Sequence, residues 1–160
     1  MRRPLKPALV GHFERYADYH RHPVNRLLHK VAIPLIVFHV AAMLDWVVLV
    51  RVPGVPRPLT LAHLVVAGIA AWYLSLDLAL GLLMSLLYLA CLPLGWITPR
   101  PVVVAVAVVG WTVQLVGHAA FEKRSPAFLT NLLQALVGPL FFVAQGLGLW
   151  RAEDRRSSPA

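Results

Sequence analysis

The stretch VAIPLIVFHVAAMLDWVVLV, residues 31–50, holds one charged side chain, Asp45. At 1.5 Å per residue, about 20 apolar residues in a helix reach roughly 30 Å, the thickness of a bilayer's hydrocarbon core. Four further runs, 59–76, 78–97, 102–120 and 129–150, repeat the pattern. Across all 160 residues the chain is 59% hydrophobic and 14% charged, against about 25% charged in an ordinary soluble domain. The expected fold is therefore all-α, an integral membrane helical bundle of four to five transmembrane helices. It forms a single domain over residues 1–160, with a basic interfacial helical segment at 1–22 and a polar, disordered tail at 151–160.

Charge placement gives the orientation. Seven of the fifteen Lys and Arg residues, Arg2, Arg3, Lys6, Arg15, Arg21, Arg26 and Lys30, lie before or at the start of the first run. The positive-inside bias then places the N-terminus in the cytoplasm. No apolar core with a small-residue cleavage site appears in the first thirty residues, so the first run is expected to stay as a span. The net charge of +8 sits at the ends of apolar runs rather than on an aromatic-interleaved stripe, which argues for headgroup contacts with membrane lipids and against nucleic acid. With one cysteine, Cys91, in an apolar run, neither a disulfide framework nor a thiolate zinc site can be built. In the last run, Pro139 allows a broken or returning segment, which would bring the arginine-rich tail back inside.

Ionisable groups inside such segments face the bundle interior and carry function by default. In YADYHRHPVNRLLHKVAIPL, Pro23 suits the first turn of a helix, and Asn25 and His29 then share a face one turn apart. His20 lies just ahead of that helix, with Tyr16 and Tyr19 within reach and His22 as a second candidate. In WTVQLVGHAAFEKRSPA, Gln114, His118 and Glu122 are spaced as one stripe of a helix. The topology brings the start of the first span and the end of the fourth to one depth. His20, His29, His118 and Glu122 can therefore meet between helices at the cytoplasmic leaflet. Three or four imidazoles, at most one carboxylate and no thiolate suit Fe(II) or Zn(II). His39 and His63 are read as helix–helix hydrogen bonds, Asp45 as reaching water, and Asp77 as a cap or an orienting group. A greasy bundle ringed by Arg21, Arg26, Lys30, Lys123 and Arg124 favours an amphipathic substrate with an anionic head.

These two motifs, above all Gly-His-x-x-Phe-Glu-Lys-Arg-x-Pro-Ala, resemble those of the yeast-type 2-hydroxy fatty acid dioxygenases and their bacterial relatives, over roughly residues 16–142. The resemblance implies a membrane-embedded Fe(II)-dependent dioxygenase that removes one carbon from a 2-hydroxy fatty acid by α-oxidation, with molecular oxygen as co-substrate. It implies His20, His29 and His118 as metal ligands, with Glu122 a fourth ligand or a carboxylate orienting an imidazole. Asn25, Gln114 and Tyr16 would position substrate or ligands. It also suggests a bacterial inner membrane. The alternatives are a non-catalytic membrane scaffold or lipid-binding protein, and a b-type haem protein with two axial histidines on facing spans.

Overall fold

Prolines open three of the helices. In the computed structural model, which describes residues 4–129 and 131–151, Pro7, Pro23 and Pro101 each stand in a first helical turn. There the missing N–H costs nothing and the fixed φ suits the helix. The chain runs α1 (Pro7–Tyr19), α2 (Pro23–Asp45), a short antiparallel hairpin of β1 (Val48–Val50) and β2 (Leu59–Thr60), α3 (Leu61–Leu76), α4 (Leu78–Ile97) and α5 (Arg100–Gly117). A π-helical turn, His118–Glu122, and a 3-10 turn, Ala127–Leu129, then lead to α6 (Leu133–Gly146). The all-α bundle forms as expected. Pro23–Asp45, Leu78–Ile97 and Arg100–Glu122 are long and apolar enough to cross a membrane, while Leu61–Leu76 and Leu133–Gly146 are shorter apolar helices. Apart from Arg151, the polar tail lies outside the described residues.

The helix of the first apolar run starts at Pro23 as expected but stops short of Val50. It ends at Asp45, and Val48–Val50 pairs with Leu59–Thr60 instead. β-Branched valines favour strand pairing. The Thr60 hydroxyl donates to Asp45 Oδ1 at 2.6 Å and the Leu61 N–H to the Val47 carbonyl at 2.9 Å, closing the hairpin. Asp45 is thus engaged by Thr60 rather than simply reaching water. His63 caps the start of α3 through Thr60 rather than bridging two helices. His39 does join helices, accepting from Trp111 Nε1 at 3.1 Å. Asp77, alone between α3 and α4, caps α4 by accepting from the Leu80 N–H at 3.0 Å.

α2 is the central element, and small residues let its neighbours approach, as close packing in a membrane bundle demands. α5 runs antiparallel to it. Gly117 lies against Asn25, and Gly110 against Leu35 and Ile36. Arg100 stands over the Trp46 ring at the far end. α4 runs the same way as α2, with Gly95 against Ala42. Leu9, Phe13 and Tyr16, spaced by about one helical turn, are the buried face of α1. Phe13 meets Phe141 of α6 and Trp150 edge-on. α6 is a single helix through Pro139, and Trp150 returns to the α1 side. Arg151 therefore follows at the end of the bundle that carries the basic N-terminal segment.

A Cβ added at Gly110 would sit 3.2 Å from Leu35 Cβ, whereas one at Gly68 of α3 meets nothing within 4 Å. Gly110→Leu should lower stability in detergent by about 1–3 kcal/mol through overpacking. Gly68→Ala should raise it slightly, since alanine is the better helix former. Thermal unfolding followed by circular dichroism checks both directions.

Candidate metal centre

His20, His29 and His118 are all buried, with one potential ligand atom from each lying within 4.8 Å of the others. Each arrives by a different local device. His20 caps the C-terminal end of α1, three residues before α2 begins. Its Nδ1 donates to the Tyr16 carbonyl at 2.8 Å, and its ring stacks on Tyr16 with centroids 4.0 Å apart. His29 lies two turns into α2, its Nδ1 donating to the Asn25 carbonyl at 2.9 Å. These backbone acceptors fix the proton on Nδ1 in both rings and leave Nε2 bare, which is how ligating imidazoles are commonly oriented. Burial pushes the His20 imidazole down to about 4, helped by nearby His118 and Arg26 and opposed by its bond to the Tyr16 carbonyl. It is therefore neutral, the form that binds metals.

His118 opens the π turn, and its Nε2 lies 3.0 Å from His29 Nε2. With the His29 proton on Nδ1, His118 must donate from Nε2. Its Nδ1 is then buried without a hydrogen-bond partner among the described residues. Such an orphan costs about 1–3 kcal/mol. An ion among the rings would replace the His118 Nε2 proton, which would move to Nδ1 and leave the Nε2 lone pair free to bind. Metal–nitrogen bonds are about 2.0–2.1 Å, so an ion between the three reaches all of them with sub-ångström adjustment. Neutral imidazoles without thiolate suit Fe(II) or Zn(II). The direct His29–His118 contact leaves no slot between those two rings for a haem.

Glu122 lies outside this three-histidine group. Its Oε1 accepts from the His22 backbone N–H at 2.9 Å and from Asn25 Nδ2 at 3.1 Å. The stripe expected of a regular helix is absent here: residues 118–122 form a π turn, closed by Lys123 in the left-handed region at φ 51°. Glu122 is thereby aimed at the start of α2. His22, the alternative to His20, caps α2 by accepting from the Val24 N–H at 3.2 Å, and its ring lies over Phe121. Asn25 is fully buried, its Oδ1 unpartnered among the described residues and pressed against Gly117. Gln114, one turn before His118, is also buried with an unpartnered Oε1.

Besides an open hollow beside His118, two cavities reach the cluster. An apolar one of about 580 Å³ lies between α2, α4 and α6, with His29 at one end and Ile33, Met84, Tyr88, Cys91 and Phe142 in its walls. Pro34 and Pro139 line it too, and a mid-helix proline removes a backbone bond and wedges its ring into the preceding turn. A smaller cavity of about 180 Å³ touches His20, Arg26, Gln145 and Trp150.

Residues 8–148 match the family described as "2-hydroxy-palmitic acid dioxygenase Mpo1-like". The chain belongs to the Mpo1-like family. The 2-hydroxy-palmitic acid dioxygenase MPO1 of Saccharomyces cerevisiae (strain ATCC 204508 / S288c) is 33% identical over 128 residues, covering 80% of this chain and 72% of the yeast protein. No solved structure matches. The matched span of this Mpo1-like chain contains all three histidines, so the family expected from the two motifs is the one found. Gly117 entered the sequence reading only as the first residue of the Gly-His-x-x-Phe-Glu-Lys-Arg-x-Pro-Ala motif, with no role of its own, and Gln145 did not enter it.

Both partners of Glu122 are N–H donors, which a glutamine oxygen can also satisfy. Glu122→Gln should therefore keep wild-type metal content, measured by elemental analysis of the purified protein. Glu122→Ala should lose metal and about 1–3 kcal/mol of stability through the unsatisfied Asn25 and His22 donors. If Glu122 were a ligand, Glu122→Gln would lose metal as well. Gly117→Ala, which drives a methyl into Asn25 Oδ1, should also reduce metal content although it removes no ligand.

Proposed function

We propose that this protein is an Fe(II)-dependent dioxygenase that removes one carbon from 2-hydroxy fatty acids by α-oxidation. We place the reaction at the cytoplasmic leaflet of a bacterial inner membrane, with the N-terminus cytoplasmic. The observation that carries the reading is a buried three-histidine cluster at the end of an apolar cavity, in a chain of the 2-hydroxy fatty acid dioxygenase family. His20, His29 and His118 would hold the iron, which would supply a redox-active Lewis-acid position for oxygen and substrate, the four electrons that reduce O₂ coming from the hydroxy acid itself. The protein supplies the geometry. Tyr16 and Asn25 fix two imidazoles through their carbonyls, and Glu122 holds the turn that carries the third.

The cavity accepts the alkyl chain and keeps water from the reacting end, in keeping with mostly apolar lining around a few polar groups. Gln114 offers a buried acceptor one turn from His118, suited to positioning a hydroxyl. The stoichiometry closes with one O₂ consumed. The bond between the first two carbons breaks, carbon 2 becomes the carboxyl of an acid shortened by one, and carbon 1 and the remaining atoms leave as carbon dioxide and water.

The test is to load the purified protein anaerobically with Fe(II), add 2-hydroxypalmitate and oxygen, and identify products by mass spectrometry. Pentadecanoate is expected from the wild type. His29→Ala and His118→Ala should abolish it while leaving the yield of folded protein nearly unchanged. A protein that takes up no stoichiometric metal and yields no shortened acid would instead be a scaffold or lipid-binding subunit.

A further inference from the structure

The two cavities meet the histidine cluster on different rings: the large apolar one reaches His29, the small polar one His20. The His20 and His29 rings are 4.6 Å apart, so a ligand bound at the cluster has access to both. The small cavity is walled by buried Phe141 and Trp150 and carries Arg26 and Gln145. Arg26 is half-buried and donates to Gln145 Oε1 at 3.3 Å. Among the described residues its guanidinium pairs with no carboxylate. Gln145 therefore orients the side chain without neutralising it, leaving a planar fork of donors that matches a carboxylate.

Position along α2 supports the same assignment. Arg26 precedes His29 by three residues and Lys30 by four, so all three lie on one side of the helix. Lys30 belongs to the lining of the apolar cavity. The basic side chains around the cluster differ in their commitments. Arg21 also lines the small cavity, but it is exposed and paired with Asp18 at 3.3 Å. Lys123 and Arg124 are exposed and border an open hollow beside His118. Among the described residues, Arg26 alone combines partial burial, an orienting neutral partner and a walled pocket touching a cluster histidine.

Resting on the proposed reading of the site, we infer that Arg26, oriented by Gln145, binds the substrate carboxylate in the polar pocket beside His20. The hydroxy acid then straddles the histidine cluster with its tail in the apolar cavity. Arg26 is on this view a binding residue that selects acids over neutral lipids of equal length.

Binding can be measured apart from turnover. The iron-loaded protein in zwitterionic nanodiscs, kept free of oxygen, is titrated with 2-hydroxypalmitate and with the neutral 1,2-hexadecanediol. The wild type should prefer the acid by roughly 10-fold to 100-fold, the range of a hydrogen bond to a charged group. Arg26→Gln should erase the preference while binding the diol as before. Arg26→Lys, which keeps charge but not the fork, should retain part of it and serves if the glutamine variant misfolds. A Lys123→Ala/Arg124→Ala double variant should keep the full preference.

A wild type without preference, or an Arg26→Gln protein that keeps it, overturns the assignment. So does loss of the preference in the double variant alone, which would put the carboxylate on the His118 side. A preference that depends on Arg26 in a protein making no shortened acid would sink the dioxygenase reading and leave the carboxylate site standing. Normal turnover with an unchanged preference in Arg26→Gln would do the reverse.

Discussion

One carboxylate oxygen ties the two halves of the centre together. Oε1 of Glu122 accepts from the backbone of His22 and the side chain of Asn25, pinning the end of the α5 segment to the start of α2. Asn25 in turn offers its carbonyl to His29, and the turn that carries Glu122 begins with His118. Two of the three imidazoles are thus positioned by the same contact. The π turn makes that contact: single-turn π geometry interrupts the α-helical register, as often happens at functional sites. Lys123 in the left-handed region then releases the chain. The third imidazole, His20, depends on the short link between α1 and α2 and on the packing of Phe13 and Tyr16 against α6.

The bundle and the meeting of the histidines were legible in sequence because both follow from coarse quantities. Run length gives helices, and charge asymmetry gives depth. Depth alone brings His29 and His118 together, since one opens a span and the other closes one. Finer features obeyed forces that residue spacing does not report. Four-residue spacing put Gln114, His118 and Glu122 on one stripe only for a regular helix, and the π turn breaks that regularity. His20 and His22 could not be separated by pattern, because the choice rests on a cap to Val24 and a ring stack on Tyr16. The end of the first span shifted because Thr60, fifteen residues on, offered Asp45 a partner.

The apolar cavity was invisible for a different reason. In a soluble helix the buried face is the hydrophobic one, but lipid is as apolar as a protein core. Leu87 and Leu94 are exposed while Met84 and Tyr88 are buried, all on one helix and all bordering the same space. Hydropathy cannot tell these positions apart. What distinguishes them is where the tyrosine hydroxyls go: the Tyr73 OH donates to the Leu136 carbonyl at 2.7 Å and lies 3.4 Å from that of Tyr88. That link joins α3, α4 and α6 behind the cavity.

The outward-facing Leu87 and Leu94 have a consequence for supply. A space bordered by side chains at the protein's apolar surface opens sideways, towards the acyl chains of neighbouring lipids. On the proposed reading the bilayer is then the reservoir. The enzyme samples substrate molecules per unit of membrane area, not per volume of cytosol. Two cells holding equal total hydroxy acid but different amounts of membrane would present it with different effective concentrations, and its saturation would follow the leaflet's composition.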